Sequence, residues 1–220
     1  MKSRFLLLAM LVATPFMAHA QWKIGATVGG DYNHYSINKQ YLYDYSFKGR
    51  WGWTAGVMGQ YNFTDWFGLR ADLNWTQKNR RVTRDLTPED VKYYNNYLQL
   101  PVMASFSFGG SKLRGFCNVG VYGGYWMGSR KSGVEYNGFT QRAYSVTQKV
   151  DFNSDRDKRW DCGLVGGLGL EYRFAEHWGA QVELRYYYST TSVQKQYTRL
   201  KDYRYNSTTA LQAGICYYFK

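Results

Sequence analysis

From Trp22 onward the chain alternates, residue by residue, between apolar and polar positions. Trp22, Ile24, Ala26, Val28 and Tyr32 fall on one side of the first such segment, and Lys23, Thr27, Asp31 and Asn33 on the other. A repeat of two is the signature of a β-strand with one apolar face. The alternation returns seven more times, over Trp51–Phe63, Phe67–Trp75, Leu98–Phe108, Leu113–Met127, Trp160–Phe174, Ala180–Tyr188 and Leu211–Phe219. Segments of roughly 9–15 residues are long enough to cross a bilayer at a tilt. An even number of them is what an up-and-down barrel needs in order to close.

The spacers alternate as well. Those near 64–66, 109–111 and 175–178 are tight, whereas those at 36–50, 77–93, 128–159 and 189–206 are long. Outer-membrane barrels pair short periplasmic turns with long outer loops, which puts both chain ends on the periplasmic side. An internal repeat supports the strand boundaries. Residues 52–75 align without gaps on 163–186, matching Gly52, Gly56, Tyr61, Phe63, Gly68 and Leu73 with Gly163, Gly167, Tyr172, Phe174, Gly179 and Leu184.

Alternation alone does not say which face meets solvent, because a soluble eight-stranded carrier barrel turns its apolar face inward. Two features favour lipid outside. Aromatic residues gather toward the ends of the apolar faces (Trp22, Trp51, Trp53, Phe63, Phe67, Trp75, Tyr172, Phe174, Tyr186, Tyr188, Tyr217 and Phe219), as interfacial girdles do. The opposite faces are rich in glycine and in charges of both signs. A third feature is a resemblance. The C-terminal run Gln212-x-Gly214-x-x-Tyr217-x-Phe219 is similar to the signal by which the outer-membrane assembly machinery recognises its substrates, with Lys220 a small departure from the common form.

Composition narrows the class further. Aromatics make up 19% of the 220 residues, which excludes disorder. Three cysteines in a chain this long exclude a disulfide scaffold. The one long apolar run is N-terminal: Lys2 and Arg4 precede Phe5–Phe16, and Ala18-His19-Ala20 follows. That pattern predicts a secretory signal peptide over residues 1–20 and a mature barrel domain over 21–220. Gln21 rather than Cys follows the cut, so no lipid anchor is expected there.

Ten charged residues fall on the polar faces: Lys23, Asp31, Arg70, Asp72, Arg114, Asp161, Glu171, Arg173, Glu183 and Arg185. An eight-stranded barrel is just wide enough for side chains to fill it, and enclosed charges must pair. A polar plug is therefore expected, with Arg70, Asp72, Glu171, Arg173, Glu183 and Arg185 at its core. Structural pairing is favoured over an ion or proton pathway.

The long spacers hold 19 Lys and Arg against 9 Asp and Glu, and carry Tyr41, Tyr43, Tyr45, Tyr93, Tyr136, Tyr144, Tyr197, Tyr203 and Tyr205. Such loops suit an anionic outer leaflet rich in lipopolysaccharide, or an extracellular anionic ligand. Nothing in the chain resembles a nucleic-acid recognition motif. His34 and Ser36 share one face of a strand end, the pairing a lipid A-modifying enzyme would use, but no carboxylate is in place to orient the histidine. No catalytic residue, cofactor or metal ligand set is assigned. Cys117 and Cys162 are expected to face lipid near opposite ends of neighbouring strands, and Cys216 to face inward, so no disulfide is expected.

Three stretches carry a family resemblance: Tyr97-Leu98-Gln99-Leu100-Pro101, the run from Asp161 to Tyr172, and Leu184-Arg185-Tyr186-Tyr187-Tyr188. They resemble the PorT-type outer-membrane β-barrel family of Bacteroidetes, over nearly the whole mature chain. The resemblance implies an all-β, eight-stranded antiparallel up-and-down transmembrane barrel, of the OmpA/OmpX-like size, inserted by the assembly machinery. It implies no single activity; one namesake assists a secretion system, which makes a secretion accessory the alternative to a structural or adhesive role.

Overall fold

The computed structural model describes residues 21–37, 44–155, 157–195 and 204–219. The signal segment at 1–20 lies outside them, as do the loop tyrosines 41, 43, 197 and 203 and the final lysine. The strands are β1 (Gln21–Ile37), β2 (Tyr45–Gly49), β3 (Trp51–Asn62), β4 (Phe67–Gln77), β5 (Arg80–Arg84), β6 (Asp90–Gly109), β7 (Leu113–Asn137), β8 (Arg142–Lys149), β9 (Trp160–Arg173), β10 (Trp178–Ser189) and β11 (Arg204–Tyr218). Eight of them close a ring in the order β1–β3–β4–β6–β7–β9–β10–β11, with β11 pairing back onto β1. Every pairing in the ring is antiparallel. The expected up-and-down barrel is therefore the fold, and among the described residues no helix is long and apolar enough to span a membrane. The crossing is made by strands.

Burial fixes which face is outside. Leu168 is 63% exposed and Leu184 55%, while Arg70 and Arg185, on strands of the same ring, are 0% exposed. A carrier with a dry interior would show the reverse. The outer wall is an aliphatic band that includes Val28, Val57, Leu100, Val121, Leu164 and Val182. Below it, near the tight turns, the rings of Trp22, Tyr61, Phe63 and Phe67 touch one after another, and Trp178, Tyr217 and Phe219 extend the belt. Above it, Tyr32 meets Trp51 and Tyr125 meets Trp160. Two aromatic belts about 25 Å apart bracket the hydrocarbon of a bilayer.

The matched hairpins of the repeat, β3–β4 and β9–β10, stand opposite each other across the ring. Two of the shared glycines have a steric reason. A Cβ on Gly167 would come within 2.5 Å of Glu183 Oε1, and one on Gly56 would strike Asn74 Oδ1. In both hairpins the glycine yields its space inside the barrel to a polar side chain of the neighbouring strand.

The long spacers are not simply loops. β6 and β7 continue past the upper belt, after a register shift at Asn96/Tyr97, and carry β5 and β8 on their flanks. With β2 they make a five-stranded antiparallel extension in the order β2–β5–β6–β7–β8. Its inner face buries Val82 and Val91 beside the barrel mouth, where Phe47 meets Tyr35. This corrects the sequence expectation of long loops at 77–93 and 128–159, most of whose residues are in strands.

The cysteines carry free thiols. Cys216 is buried and inward, Cys117 and Cys162 half-buried and outward. Cys117 sits opposite Leu168 and Cys162 opposite Gly123 on the β7–β9 ladder. That leaves the two thiols roughly 20 Å apart, far beyond disulfide reach.

Candidate functional site

The centre of the lumen is an ion cluster built from two opposite strands. On β4, Arg70 and Asp72 are two residues apart and so share the inner face; on β10, Glu183 and Arg185 do the same. Within β4, Arg70 Nε and Nη2 donate to the Asp72 carboxylate at 2.8 and 3.1 Å. Within β10, Arg185 Nε and Nη2 donate to Glu183 at 3.1 and 2.6 Å. Across the barrel, Arg185 Nη1 lies 2.8 Å from Asp72 Oδ2 and Arg70 Nη1 lies 3.2 Å from Glu183 Oε2. Asn118 of β7 and the Tyr187 hydroxyl complete the shell, at 2.9 Å from Glu183 Oε1 and 3.1 Å from Arg185 Nη1. Two cations and two anions thus cancel, with all four side chains at most 1% exposed. Charges this enclosed are tolerable only because each meets an opposite charge.

The six residues expected at the core divide into two groups. Glu171 and Arg173 stand apart, near the periplasmic end. There Lys23 Nζ donates to Glu171 at 2.8 Å, and the half-exposed Arg173 reaches Glu171 at 3.4 Å while its guanidinium lies over the Tyr218 ring. Arg114 is not enclosed; at the same rim it donates to the Asp65 carbonyl. Asp31 is fully buried against Gly52 but joins no salt bridge among the described residues.

Toward the outer mouth a third pair appears, one of whose members, Lys78, falls in the long spacer at 77–93. Lys78 Nζ donates to Asp161 Oδ2 at 2.6 Å, and the other Asp161 oxygen accepts from Ser189 at 2.6 Å and Tyr122 at 3.2 Å. The Lys78 ammonium lies 5.2 and 5.1 Å over the Tyr97 and Tyr122 rings. Tyr97 stacks on Trp126, and Tyr122 meets Tyr187 edge-on. Met103, Tyr122, Val165, Tyr187 and Ala210 form a small apolar cluster inside the barrel. Charge pairs and rings therefore fill the lumen along its length.

The C-terminal residues Gln212, Gly214, Tyr217 and Phe219 sit on the last strand and its end. Gln212 is buried inward and its amide donates to Thr54 at 3.3 Å; Tyr217 and Phe219 pack together in the lower belt. His34 and Ser36 both lie exposed on the outer side of β1, and His34 Nε2 is 3.4 Å from Thr209 Oγ1. Asp31 faces the other way, and Asp44 is held elsewhere. Among the described residues no cluster of three or more metal-type side chains occurs.

Asp44 anchors the β2–β5 end of the extension. It accepts from the Leu86 amide at 2.8 Å, Arg84 Nε at 2.7 Å and the Asp85 amide at 3.1 Å. These bonds, the Leu86 amide first, hold its carboxyl below the usual range. Asp90 is held low as well, chiefly by hydrogen bonds from Arg81 at 2.7 and 2.5 Å. A carboxyl depressed in the folded state stabilises above its unfolded value, and that contribution is lost as pH falls through the folded value. The extension is therefore expected to loosen below about pH 4 while the barrel stays closed. Hydrogen exchange over 80–92, corrected for the intrinsic pH dependence, checks this; protection unchanged between pH 6 and pH 3 would contradict it.

Comparison with known proteins agrees with this geometry. The chain is similar in fold to the outer membrane protein OprG of Pseudomonas aeruginosa, with a TM-score of 0.56, 14% identity, and coverage of 91% of this chain and 95% of that one. It also aligns with Neisserial surface protein A at a TM-score of 0.49 and 15% identity, covering 89% and 96% of the two chains. No curated protein matches it. The outer membrane protein β-barrel domain family matches residues 5–219. The chain belongs to that family, and its place is the outer membrane of a Gram-negative bacterium.

Proposed function

We propose that this protein is a closed membrane anchor that displays a folded, basic extracellular surface for a structural or adhesive role. The observation that carries the proposal is the contrast between its two halves. The lumen is crossed by the Arg70–Asp72–Glu183–Arg185 cluster and again by Lys78–Asp161, whereas β6 and β7 extend well past the membrane as ordered sheet. Interaction, rather than transport, is what such a design serves. The signal peptide and the C-terminal assembly signal supply the route: export, then insertion through the strand ending in Tyr217 and Phe219.

The resemblance to the PorT-type family of Bacteroidetes supports a second reading, as an accessory to a secretion system. β8 is the observation in its favour. It is an edge strand exposed along almost its whole length, and an open edge can take up a strand from another chain. Cross-linking in intact cells separates the two, since only an accessory would copurify with secretion proteins. For the first reading, planar-bilayer recording of the purified barrel is expected to give no large, steady conductance. A stable open channel would overturn the closed anchor.

A further inference from the structure

The outer face of the extension, opposite the one that packs at the barrel mouth, carries an unusual arrangement of charge. Residues directly opposed on antiparallel strands share a face. Register therefore sets Lys48, Arg81 and Lys92 side by side on β2, β5 and β6. Nearer the membrane it sets Tyr94, Arg130 and Lys149 side by side on β6, β7 and β8. The Arg50 guanidinium lies 5.0 Å over the Tyr94 ring. Six cations thus share one face, and among the described residues Arg81 is the one of them held in a salt bridge, with Asp90. Opposed like charges destabilise a sheet. Asp90, two residues before Lys92 and so on the same face, offsets the first row through Arg81, whereas Arg130 and Lys149 of the second row are in no salt bridge among the described residues, so that row costs stability unless an anion lies across it.

Below the second row a groove of about 650 Å³ opens, with Met127 and Phe152 as apolar surface, Tyr94 and Gln77 at its side, and Arg130 and Lys149 above. Asp151 also lines it. The groove is continuous with the lipid-facing wall, for Gln77 is two residues past Trp75, and Trp75 pairs with the exposed Leu98. It therefore lies just above the upper aromatic belt, at the depth of lipid headgroups.

We infer that this groove binds the phosphorylated headgroup of an outer-leaflet glycolipid, with phosphate on Arg130 and Lys149 and the first acyl carbons on Met127 and Phe152. A soluble polyanion would be served by the cations alone; the apolar surface and its continuity with the membrane band select a lipid. The inference stands apart from the display role, and holds whether or not the extension has a soluble partner.

The test uses the refolded mature barrel in nanodiscs, with lipid binding followed by native mass spectrometry. Bisphosphorylated lipid A is expected to bind, and lipid A stripped of both phosphates to bind at least about tenfold more weakly, since charge-assisted hydrogen bonds are lost. Arg130→Gln with Lys149→Gln should cause a similar loss, while Arg142→Gln, which removes a charge away from the groove, should not. The single change Lys149→Gln on exposed β8 gives a milder variant whose folding is secure. It should weaken lipid binding without lowering the lipid-free stability, because it relieves an opposed charge pair. Equal binding of the stripped lipid, or full binding by both variants, would overturn the inference. Displacement of lipid A by inorganic polyphosphate of equal phosphate concentration would also overturn it, in favour of a soluble polyanion.

Discussion

Replacing Arg185 by alanine is expected to destabilise the folded barrel by about 3–5 kcal/mol, the cost of leaving enclosed charges without their partner. Arg185 reaches both Glu183, its neighbour on β10, and Asp72 on the opposite wall. Its removal leaves two carboxylates sharing the single guanidinium of Arg70. Much of the cost is the penalty for stranded charge rather than the value of the cluster. Replacing all four members by apolar residues of similar volume (Arg70→Met, Asp72→Leu, Glu183→Leu and Arg185→Met) should therefore cost much less than Arg185→Ala alone. Urea titration of the folded fraction in lipid vesicles, scored by the mobility of unheated samples, measures both. A single-site loss under about 1 kcal/mol would mean that the cluster is solvated rather than enclosed.

One residue away, the same chemistry should have the opposite consequence. Leu184 lies between Glu183 and Arg185 and points outward in the middle of the aliphatic band. Leu184→Arg is expected to cost about 2–4 kcal/mol, the penalty for a cation at the bilayer midplane, whereas Phe219→Arg at the lower belt should cost about 0–1 kcal/mol. The same vesicle titration reads the difference. Equal costs at the two depths would argue that no hydrocarbon surrounds the barrel. Side by side, positions 184 and 185 report both faces of one strand: one excludes charge and its neighbour requires it.

Much of this was legible in the sequence because the physics is periodic. Wherever one side of a strand meets lipid and the other meets the lumen, residues must alternate, so the ring strands, the tight turns and the inward charges all appear at spacing two. What escaped lay where that contrast ends. Beyond the upper belt the extension meets water on its outer face, and along Arg130–Asn137 and Arg142–Lys149 both faces are mostly wet, so there is little alternation to find. Lys78 falls in a spacer by hydropathy, although it continues the inward series Arg70, Asp72, Asn74 and Thr76 by one more step; the signal is in the parity and not in the hydropathy. The inner aromatics Tyr97, Tyr122, Trp126 and Tyr187 were hidden for another reason. Aromatic residues serve both the belts and the filled lumen, so residue type alone does not assign them. The division of the six charged residues into two clusters was illegible too, since pairing depends on which strands face each other across the ring.

Lipid surrounds the apolar face of the barrel, and the polar face is enclosed. Nitroxide labels test this most directly, on single cysteines in a protein whose Cys117, Cys162 and Cys216 are replaced by alanine. Outward positions Val121, Leu168, Val182 and Leu184 are compared with inward positions Thr54, Gln99 and Gln212 in reconstituted bilayers. The structure predicts high collision rates with dissolved oxygen, and low rates with a water-soluble nickel complex, at the four outward sites, and low oxygen collision at the three inward ones. Oxygen collision highest at the inward sites, or nickel access at Leu168 and Leu184, would contradict it.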